Sequence, residues 1–316
     1  MARARAHPNP AVNYAALSTE AINPRSALLD SLPPDEVVKL MVTEEARTVR
    51  AARAQAANIA RAAELYAERL AGGGRAVYVG AGTSGRLGTL DAAECVPTFG
   101  VPPSLVVSIL AGGPHALTHA VEGAEDNDRE AEDRLKRAAV GPKDIVLCIA
   151  ASGVTRFSLA ALAYAHRRRA ATVFVTCTRA PRTREGKPLA DVVIELLTGP
   201  EVVAGSTRLK AGTATKITLN AISTTAFVLL GKTYGGLMVD VRPTNAKLWA
   251  RAVRIVRLLS GLDDAKALAL LKKAGGRAKV ALVMHHARVP AARARELLVQ
   301  HRGQLRAIVG DLDLHD

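Results

Sequence analysis

Five short apolar runs recur along the first two thirds of the chain, and segments with helical spacing separate them. The runs cover residues 76–79, 105–110, 144–149, 171–177 and 191–197. They are continuous rather than alternating, which is typical of strands that are buried on both faces. The pattern therefore predicts an α/β fold with a doubly wound, five-stranded and mainly parallel sheet.

The spacing of apolar residues between and beyond these runs predicts the helices. Pro34 and Asp35 resemble a helix start, and a long helical region follows from there to Leu70, just before three glycines. Further helices are predicted at residues 84–94, 115–122, 127–139, 155–168, 211–230 and 245–259. Gly261 is the expected stop of the last of these helices.

The chain divides into three predicted parts. Residues 1–33 form an N-terminal arm, in which Pro8, Pro10 and Pro24 interrupt any helix. Residues 34–260 form the main domain, and residues 261–316 form a small helical module. That module carries a quasi-repeat, although chance similarity between two Ala/Leu-rich helices is the alternative explanation. Its matching positions are Ala265, Ala267, Leu270, Leu271 and Gly276, which recur as Ala292, Ala294, Leu297, Leu298 and Gly303.

Composition narrows the class of protein. The chain has 316 residues and 49% hydrophobic residues, which is enough to bury a core. It has no apolar run of about 18 residues, so no membrane span is expected. The basic N-terminus lacks the apolar segment of a secretory signal, so a cytoplasmic location is expected. Cys95, Cys148 and Cys177 sit in or beside apolar runs without a paired spacing, and we expect reduced packing residues.

The formal charge of +14 raises nucleic acid as a partner. Aromatic residues make up only 3% of the chain, too few for a base-stacking platform. The arginines are scattered except at residues 167–169, where they suit the end of a helix dipole. We therefore expect no specific nucleic-acid binding. No metal site is expected either, because the adjacent His285 and His286 cannot both face one ion well.

A glycine-rich loop follows the first predicted strand and opens a helix. Gly80, Gly82 and Gly85 match the dinucleotide fingerprint Gly-x-Gly-x-x-Gly, while Thr83 and Ser84 add hydroxyls. A dinucleotide site would need an acidic residue after the next strand, but residues 111–113 are Ala-Gly-Gly. The loop instead suits a phosphate at a helix N-terminus, with a turn that binds nothing as the alternative.

Two further hydroxyl-rich segments follow later strands. Ser152, Gly153 and Thr155 come after the third strand, and ligands of open α/β sheets bind beyond the carboxyl ends of the strands. The two loops are therefore expected to converge on one site. Ser206 lies after the fifth strand, where Arg208 and Lys210 are candidates to balance phosphate charge. Ordinary solvation of a helix start is the alternative role for these two cations.

Two carboxylates have contexts that suit proton transfer. Glu94 lies in an apolar stretch at the end of the predicted Gly-loop helix, where desolvation would raise its pKa. Glu125 follows the predicted helix after the second strand. Such a pair can remove a proton alpha to a carbonyl and protonate a leaving oxygen. A helix-end salt bridge for Glu94 and a capping role for Glu125 are the structural alternatives.

Taken together, these residues resemble the sugar isomerase (SIS) superfamily, and closely resemble the N-acetylmuramic acid 6-phosphate etherases. The Gly loop alone indicates the superfamily, whereas the segments around Glu94 and Glu125 point to the etherases and their regulatory relatives. The resemblance covers nearly the whole chain. It is carried by residues 19–20, 80–88, 91–95, 97–100, 111–113, 119–126, 150–155, 199–202, 205–213, 216, 219–220, 223–224, 231–232, 237–240 and 244–245.

The resemblance implies cleavage of the lactyl ether of N-acetylmuramic acid 6-phosphate to N-acetylglucosamine 6-phosphate and D-lactate, in the recycling of cell-wall sugar. It implies that Glu94 is the acid and base for lactate departure and water addition, and that Glu125 is the second essential carboxylate, assigned here to C2 proton abstraction. No cofactor is implied. A homodimer is implied, with a site that the other subunit can complete. The expected substrate and phosphate ligands are Gly82, Thr83, Ser84, Gly85, Ser152, Gly153, Thr155, Ser206 and Lys210.

Two parts of the sequence depart from the family pattern. Relatives usually have Arg-Thr-Pro after the Ser-Gly of the second loop, where this chain has Val154, Thr155 and Arg156, so that Arg156 could supply the cation from a shifted position. Thr215 stands where relatives often have Gln.

Two other functions are alternatives to the etherase. A non-catalytic sugar-phosphate sensor, similar to the glucokinase regulatory protein, would keep the loops and need neither carboxylate. An aldose-ketose isomerase would share the proton chemistry without releasing lactate.

Overall fold

A parallel sheet forms the centre of the computed structural model, which describes residues 13–315. Its five strands are β1 Ala76–Gly80, β2 Val106–Leu110, β3 Ile145–Ile149, β4 Ala171–Thr176 and β5 Val192–Glu195. They pair in the order β2-β1-β3-β4-β5, and every pair is parallel. The predicted α/β fold is therefore confirmed. Pro8 and Pro10 of the predicted arm lie outside the described residues.

The strands are central because their side chains are apolar on both faces. Every residue of β1, β3 and β4 is buried. In β1, Val77 faces Val107 of β2 on one side and Val146 of β3 on the other. This double burial explains why the runs in the sequence are continuous rather than alternating.

The helices agree with the predictions in most places. The described α-helices are α1 Pro34–Ala54, α2 Ala56–Ala71, α3 Gly82–Phe99, α4 Asp128–Arg137, α5 Arg156–Arg167, α6 Lys210–Leu229, α7 Ala246–Ser260, α8 Asp264–Lys273, α9 Ala278–His286, α10 Ala291–Gln300 and α11 Arg306–Val309. Gly261 ends α7 with a φ of 68°, as predicted. Among residues 13–315, no helix has the length and apolar content that a bilayer crossing requires.

One predicted helical region is divided, and one helix prediction is wrong. The long helical region is divided at Gln55, which has a non-helical φ of −103° and ψ of 12° between α1 and α2. The helix predicted at residues 115–122 is only a 3-10 turn over Pro114–Leu117 followed by turns. The cause is the lack of a buried apolar face of helical length, since Leu117 and Val121 are exposed and only Ala116 among residues 115–122 is buried.

The chain forms two compact units. The first comprises the chain up to Ala93 together with Pro103–Ser223, and the second comprises Glu94–Pro102 and Thr224–Asp316. One core of the first unit packs β-strand side chains against α4 and α5, with Val77, Cys148, Phe157 and Phe174 all fully buried. The predicted three-part division of the chain stays a prediction.

The second unit is helical and has its own core. Val256 of α7, Leu271 of α8 and Leu282 of α9 are fully buried in it. The quasi-repeat is reflected in two pairs of equivalent positions. Ala267 and Ala294 are both fully buried, and Gly276 and Gly303 both adopt a positive φ, of 75° and 77°. These shared features favour a related helix-turn unit in each copy.

A buried ion pair joins α1 to the start of α6 within the first unit. The ammonium of Lys210 donates to Glu44 Oε2 and to the Pro200 carbonyl, both at 2.6 Å. The side chains of Lys210 and Glu44 are 1% and 0% exposed. Asn23 Nδ2 and Arg25 Nη1 also donate to the Glu44 carboxylate, each at 3.0 Å. Burial opposes ionisation of Glu44, but Lys210 and the other donors outweigh it and lower its pKa.

We expect substitution of Glu44 to lower the stability of the fold more than substitution of Lys210. Glu44→Leu leaves the Lys210 ammonium buried with only the Pro200 carbonyl and should reduce the free energy of unfolding by about 3–5 kcal/mol. Lys210→Met should cost less, because Asn23 and Arg25 still bind the Glu44 carboxylate. Urea unfolding followed by circular dichroism measures both.

The exposed pair of Lys39 and Glu36 on α1 provides the control. Glu36→Leu should change stability by no more than about 0.5 kcal/mol. A larger loss in Lys210→Met than in Glu44→Leu would contradict this assignment of partners.

Candidate functional site

The first loop is built from a backbone contact between strand and helix. A Cβ on Gly85 would lie 2.4 Å from both the Gly80 carbonyl oxygen and Leu110 Cδ1. A Cβ on Gly80 would lie 2.8 Å from the Gly85 nitrogen. Only glycines permit this approach, which lets α3 begin immediately beyond β1. Thr83 and Ser84 are partly buried in the first turn of α3, where backbone N–H groups lack helical partners and favour an anion.

The sheet order places this loop where ligands bind in open α/β folds. β1 is flanked by β2 on one side and by β3 on the other, so the chain reverses its direction of winding between β1 and β3. Gly80 and Ile149, the last residues of these two strands, are register partners. The loops at Ser84 and Ser152 therefore begin side by side at the switch point of the sheet.

The second loop is fixed by hydroxyls at the end of β4. Thr178 Oγ1 donates to the Ser152 carbonyl at 3.0 Å, and Thr176 Oγ1 donates to the Ala151 carbonyl at 3.3 Å. Gly153 has a φ of 78°, and a Cβ there would lie 2.8 Å from Thr178 Oγ1. Thr155 is partly buried at the start of α5. Thr176 and Thr178 were not predicted, although two threonines at a strand end were a visible signal.

The third segment differs from its prediction. Ser206 is partly buried and Arg208 is exposed, but the Lys210 ammonium is enclosed by Glu44 and Pro200. The N-terminus of α6 is capped by Glu201, whose carboxylate accepts from the Lys210 and Ala211 N–H groups at 3.1 and 2.8 Å. Lys210 is thus neutralised within the protein and does not present a free cation to a phosphate, which corrects its predicted role.

Asp91 is a buried junction between β1, α3 and α6 that the sequence did not reveal. Its carboxylate accepts from Tyr78 Oη at 2.7 Å, Asn220 Nδ2 at 2.6 Å and Ser223 Oγ at 3.2 Å. Lys216 is exposed and donates to Asn220 Oδ1 at 2.7 Å. The available signal was an acidic residue, Asp91, directly among the apolar residues Leu90, Ala92 and Ala93 of a predicted helix. These bonds hold α3 against β1 and α6.

The two candidate carboxylates have different environments. Glu125 lies in a short 3-10 helix, Ala124–Asp126, after Gly123 with a φ of 73°. Although Glu125 is exposed, surrounding protein reduces the hydration of its carboxyl, and this desolvation together with the Asp126 charge raises its pKa. Glu94 lies on α3, three residues after Asp91, and is exposed. The apolar sequence around Glu94 therefore does not bury its side chain.

Other residues of the first unit are engaged in contacts with protein side chains. Arg156 Nη2 donates to Asp128 Oδ2 at 2.6 Å, so its guanidinium is engaged with that carboxylate. His119 is exposed and stacks on His115 with ring centroids 4.1 Å apart. Thr215 is buried beside Cys177, and burial raises the pKa of the Cys177 thiol to about 12. The three cysteines are all buried, as predicted.

No group of three or more His, Cys, Asp or Glu side chains in the described part of the chain is arranged to hold a metal ion. The arrangement instead offers hydroxyls, free helix N–H groups and a carboxylate with a raised pKa. These groups suit binding of a phosphorylated ligand and transfer of a proton.

Comparison with known proteins gives the family. Residues 58–166 match the profile of the glucokinase regulatory protein N-terminal SIS domain. The chain is 48% identical over 298 residues to an N-acetylmuramic acid 6-phosphate etherase from Rubrobacter xylanophilus, covering 93% of this chain and 96% of the relative. It is 52% identical over 269 residues to an etherase of the same name from Gloeobacter violaceus, covering 85% and 87%.

Among solved structures, a phosphoheptose isomerase from Francisella tularensis aligns with a TM-score of 0.48 at 17% identity, covering 61% of this chain and 97% of its own. The identity and coverage of the etherase matches are decisive for the family. The chain belongs to the N-acetylmuramic acid 6-phosphate etherase family.

Proposed function

We propose that the protein is an N-acetylmuramic acid 6-phosphate etherase that releases D-lactate and N-acetylglucosamine 6-phosphate. The observation that carries this proposal is the sequence identity of 48% and 52% to etherases of that name, over 93% and 85% of the chain. The switch-point loops support it, because they offer the hydroxyls and helix N–H groups that a sugar phosphate requires. The activity places the protein in cell-wall sugar recycling, and we propose a cytoplasmic location for it.

Phosphate recognition is assigned to the two loops. In this proposal the N–H groups of Gly82, Thr83 and Ser84 and the Thr83 and Ser84 hydroxyls bind the 6-phosphate. Gly85, whose N–H donates to the Ala81 carbonyl at 3.2 Å, permits the tight turn that places them there. Ser152, Gly153 and Thr155 contact the sugar from the neighbouring loop. Ser206 completes the set from the third segment. Lys210 is left out, because its charge is already balanced by Glu44.

The reaction is an elimination followed by hydration. In the ring-opened sugar the C2 proton lies alpha to the C1 aldehyde, and Glu125 removes it as the C3–O bond breaks. The electron pair of that bond leaves with the lactate oxygen, which Glu94 protonates. Water then adds at C3 with Glu94 as base, and a proton returns to C2. A base with a raised pKa suits this role, since proton transfer is most effective when the pKa approaches the working pH.

Purified protein should release D-lactate from N-acetylmuramic acid 6-phosphate, measured by coupling to D-lactate dehydrogenase. Glu94→Gln and Glu125→Gln should each lower kcat by at least about 10²-fold, the usual contribution of a general acid or base. Glu122→Gln is the matched control, because this carboxylate is exposed and has no assigned role.

Two other outcomes would contradict parts of this proposal. Full turnover in Glu94→Gln or Glu125→Gln would remove that residue from the mechanism. Binding of the sugar phosphate without lactate release by the unaltered protein would contradict the etherase and favour a sensor.

The raised pKa of Glu125 predicts the acidic limb of the pH profile. Glu125 must be ionised to accept the C2 proton, so kcat/KM should fall as the pH drops through a value above the ordinary glutamate pKa of about 4.3. Asp126→Asn removes the neighbouring negative charge and should move the limb to lower pH. Steady-state rates across pH measure the shift, and a limb that stays fixed or moves upward in Asp126→Asn would refute the assignment.

We propose that the protein acts as a homodimer. Supporting evidence is an exposed apolar row on α1, where Val38, Val42 and Val49 are 59%, 67% and 59% exposed. Their spacing puts them on one face of the helix, and such faces favour burial against a partner. Light scattering should give twice the chain mass, and Val42→Glu should shift the mass toward that of one chain. An unaltered protein that stays monomeric at micromolar concentration would disprove the dimer.

A further inference from the structure

The segment that carries Glu125 has little regular structure of its own. Residues 114–128 connect β2 to α4 and contain only two short 3-10 helices, Pro114–Leu117 and Ala124–Asp126. Ala116 is buried and Ala124 packs against a core of the first unit, but the larger Leu117 and Val121 are 42% and 39% exposed, so they contribute little hydrophobic packing. Polar contacts must therefore contribute much of its fixed position.

Arg86 provides the first of these contacts. Its Nε donates to the Ala116 and Leu117 carbonyls at 3.0 and 3.1 Å, and its Nη2 donates to the His119 carbonyl at 3.1 Å. These carbonyls lie at the end of a 3-10 turn, where acceptors lack partners within the helix. Arg86 lies two residues after Ser84, at the start of the second turn of α3. One guanidinium thus joins the phosphate-loop helix to the start of the Glu125 segment.

Arg156 provides a second contact at the other end of the segment. It is the first residue of α5, directly after the second loop, and it pairs with Asp128, the first residue of α4. The Nη2–Oδ2 distance is 2.6 Å, and the two side chains are 47% and 46% exposed. Asp128 follows Glu125 by three residues. Arg156 therefore bonds the start of α5, directly after the second loop, to the end of the Glu125 segment.

We propose that Arg86 and Arg156 are positioning residues that tether the Glu125 segment to the first and second loops. The proposal rests on the proposed etherase function and on Glu125 as its base. Each substrate loop then holds one end of the segment, so that a sugar phosphate bound by the loops meets Glu125 at a fixed distance. Placement of this kind matters because a displacement of about 1 Å can cost about 10²-fold in rate.

The two tethers should differ in strength. Arg86 makes three bonds to carbonyls and is partly buried, whereas the pair of Arg156 and Asp128 is half exposed and screened by water. Loss of Arg86 should therefore displace the segment more than loss of Arg156. Neither residue needs to touch the reacting atoms for this effect.

Kinetics of lactate release separate positioning from direct binding. Arg86→Ala should lower kcat by about 30- to 100-fold, and Arg156→Ala or Asp128→Asn by about 3- to 10-fold, because the base is misplaced. The Kd of N-acetylglucosamine 6-phosphate, measured by calorimetry, should change by less than about threefold. Arg86→Lys should recover part of kcat, since the ammonium can still donate to one of these carbonyls but lacks the fork geometry of the guanidinium.

Matched controls lie on the same elements. Arg167, the last residue of α5, pairs with Glu132 in the middle of α4 at 2.8 Å, and Arg167→Ala should leave kcat unchanged. Arg168 is exposed and donates to the Val140 carbonyl, so Arg168→Ala controls for loss of an arginine–carbonyl bond. Unchanged kcat in Arg86→Ala, an equal loss of kcat and product affinity, or an equal loss in these controls would overturn the proposal.

Hydrogen–deuterium exchange tests the tethers independently of the reaction. Amides of residues 114–128 should exchange faster in Arg86→Ala and Arg86→Lys than in the unaltered protein, with little change in the β-strands. If the unaltered protein released no lactate, the proposed function would fail, yet faster exchange confined to this segment would still support the tethers. Unchanged exchange there in Arg86→Lys and Arg86→Ala would reject them.

Discussion

The contact between the backbones of Gly80 and Gly85 is the constraint on which the rest of the site depends. A Cβ at either position would collide with backbone atoms across the turn, so α3 can begin directly beyond β1 only if both positions are glycine. This turn lies at the switch point of a sheet with the order β2-β1-β3-β4-β5. The free N–H groups of α3 and the loop after β3 are thereby aimed at one region. The side chains that these loops carry then determine which ligand binds.

Buried polar residues hold each part of the frame in place. Asp91 ties α3 to β1 and α6 through three hydrogen bonds. Thr178 fixes the carbonyl of Ser152 in the second loop, and Glu44 neutralises Lys210 at the start of α6. Unpaired polar groups would be costly in these positions, so each network specifies one arrangement of its loop. The Glu125 segment lacks such burial, and arginines from the two substrate loops contact it instead.

The sequence predicts the sheet well, because strands buried on both faces leave continuous apolar runs that need no long-range information. The glycine-rich turn after β1 is equally visible, since glycine spacing encodes a backbone contact that is local. Long-range pairings were not predictable in the same way. The sequence suggested Lys210 as a cation for a phosphate, but the fold places Glu44 2.6 Å from its ammonium. It also suggested Arg156 as a cation for the ligand, but the guanidinium pairs with Asp128. The helix predicted at residues 115–122 failed because local spacing does not reveal whether an apolar face finds a partner.

The central claim is that the ether is cleaved by elimination and hydration, with a proton taken from C2. Isotopic analysis of the product tests it most directly, by turnover of N-acetylmuramic acid 6-phosphate in D₂O and, separately, in H₂¹⁸O. The account predicts N-acetylglucosamine 6-phosphate with one deuterium at C2 from the first reaction and ¹⁸O on the C3 hydroxyl from the second. Product without deuterium at C2, or ¹⁸O found in the lactate, would contradict it.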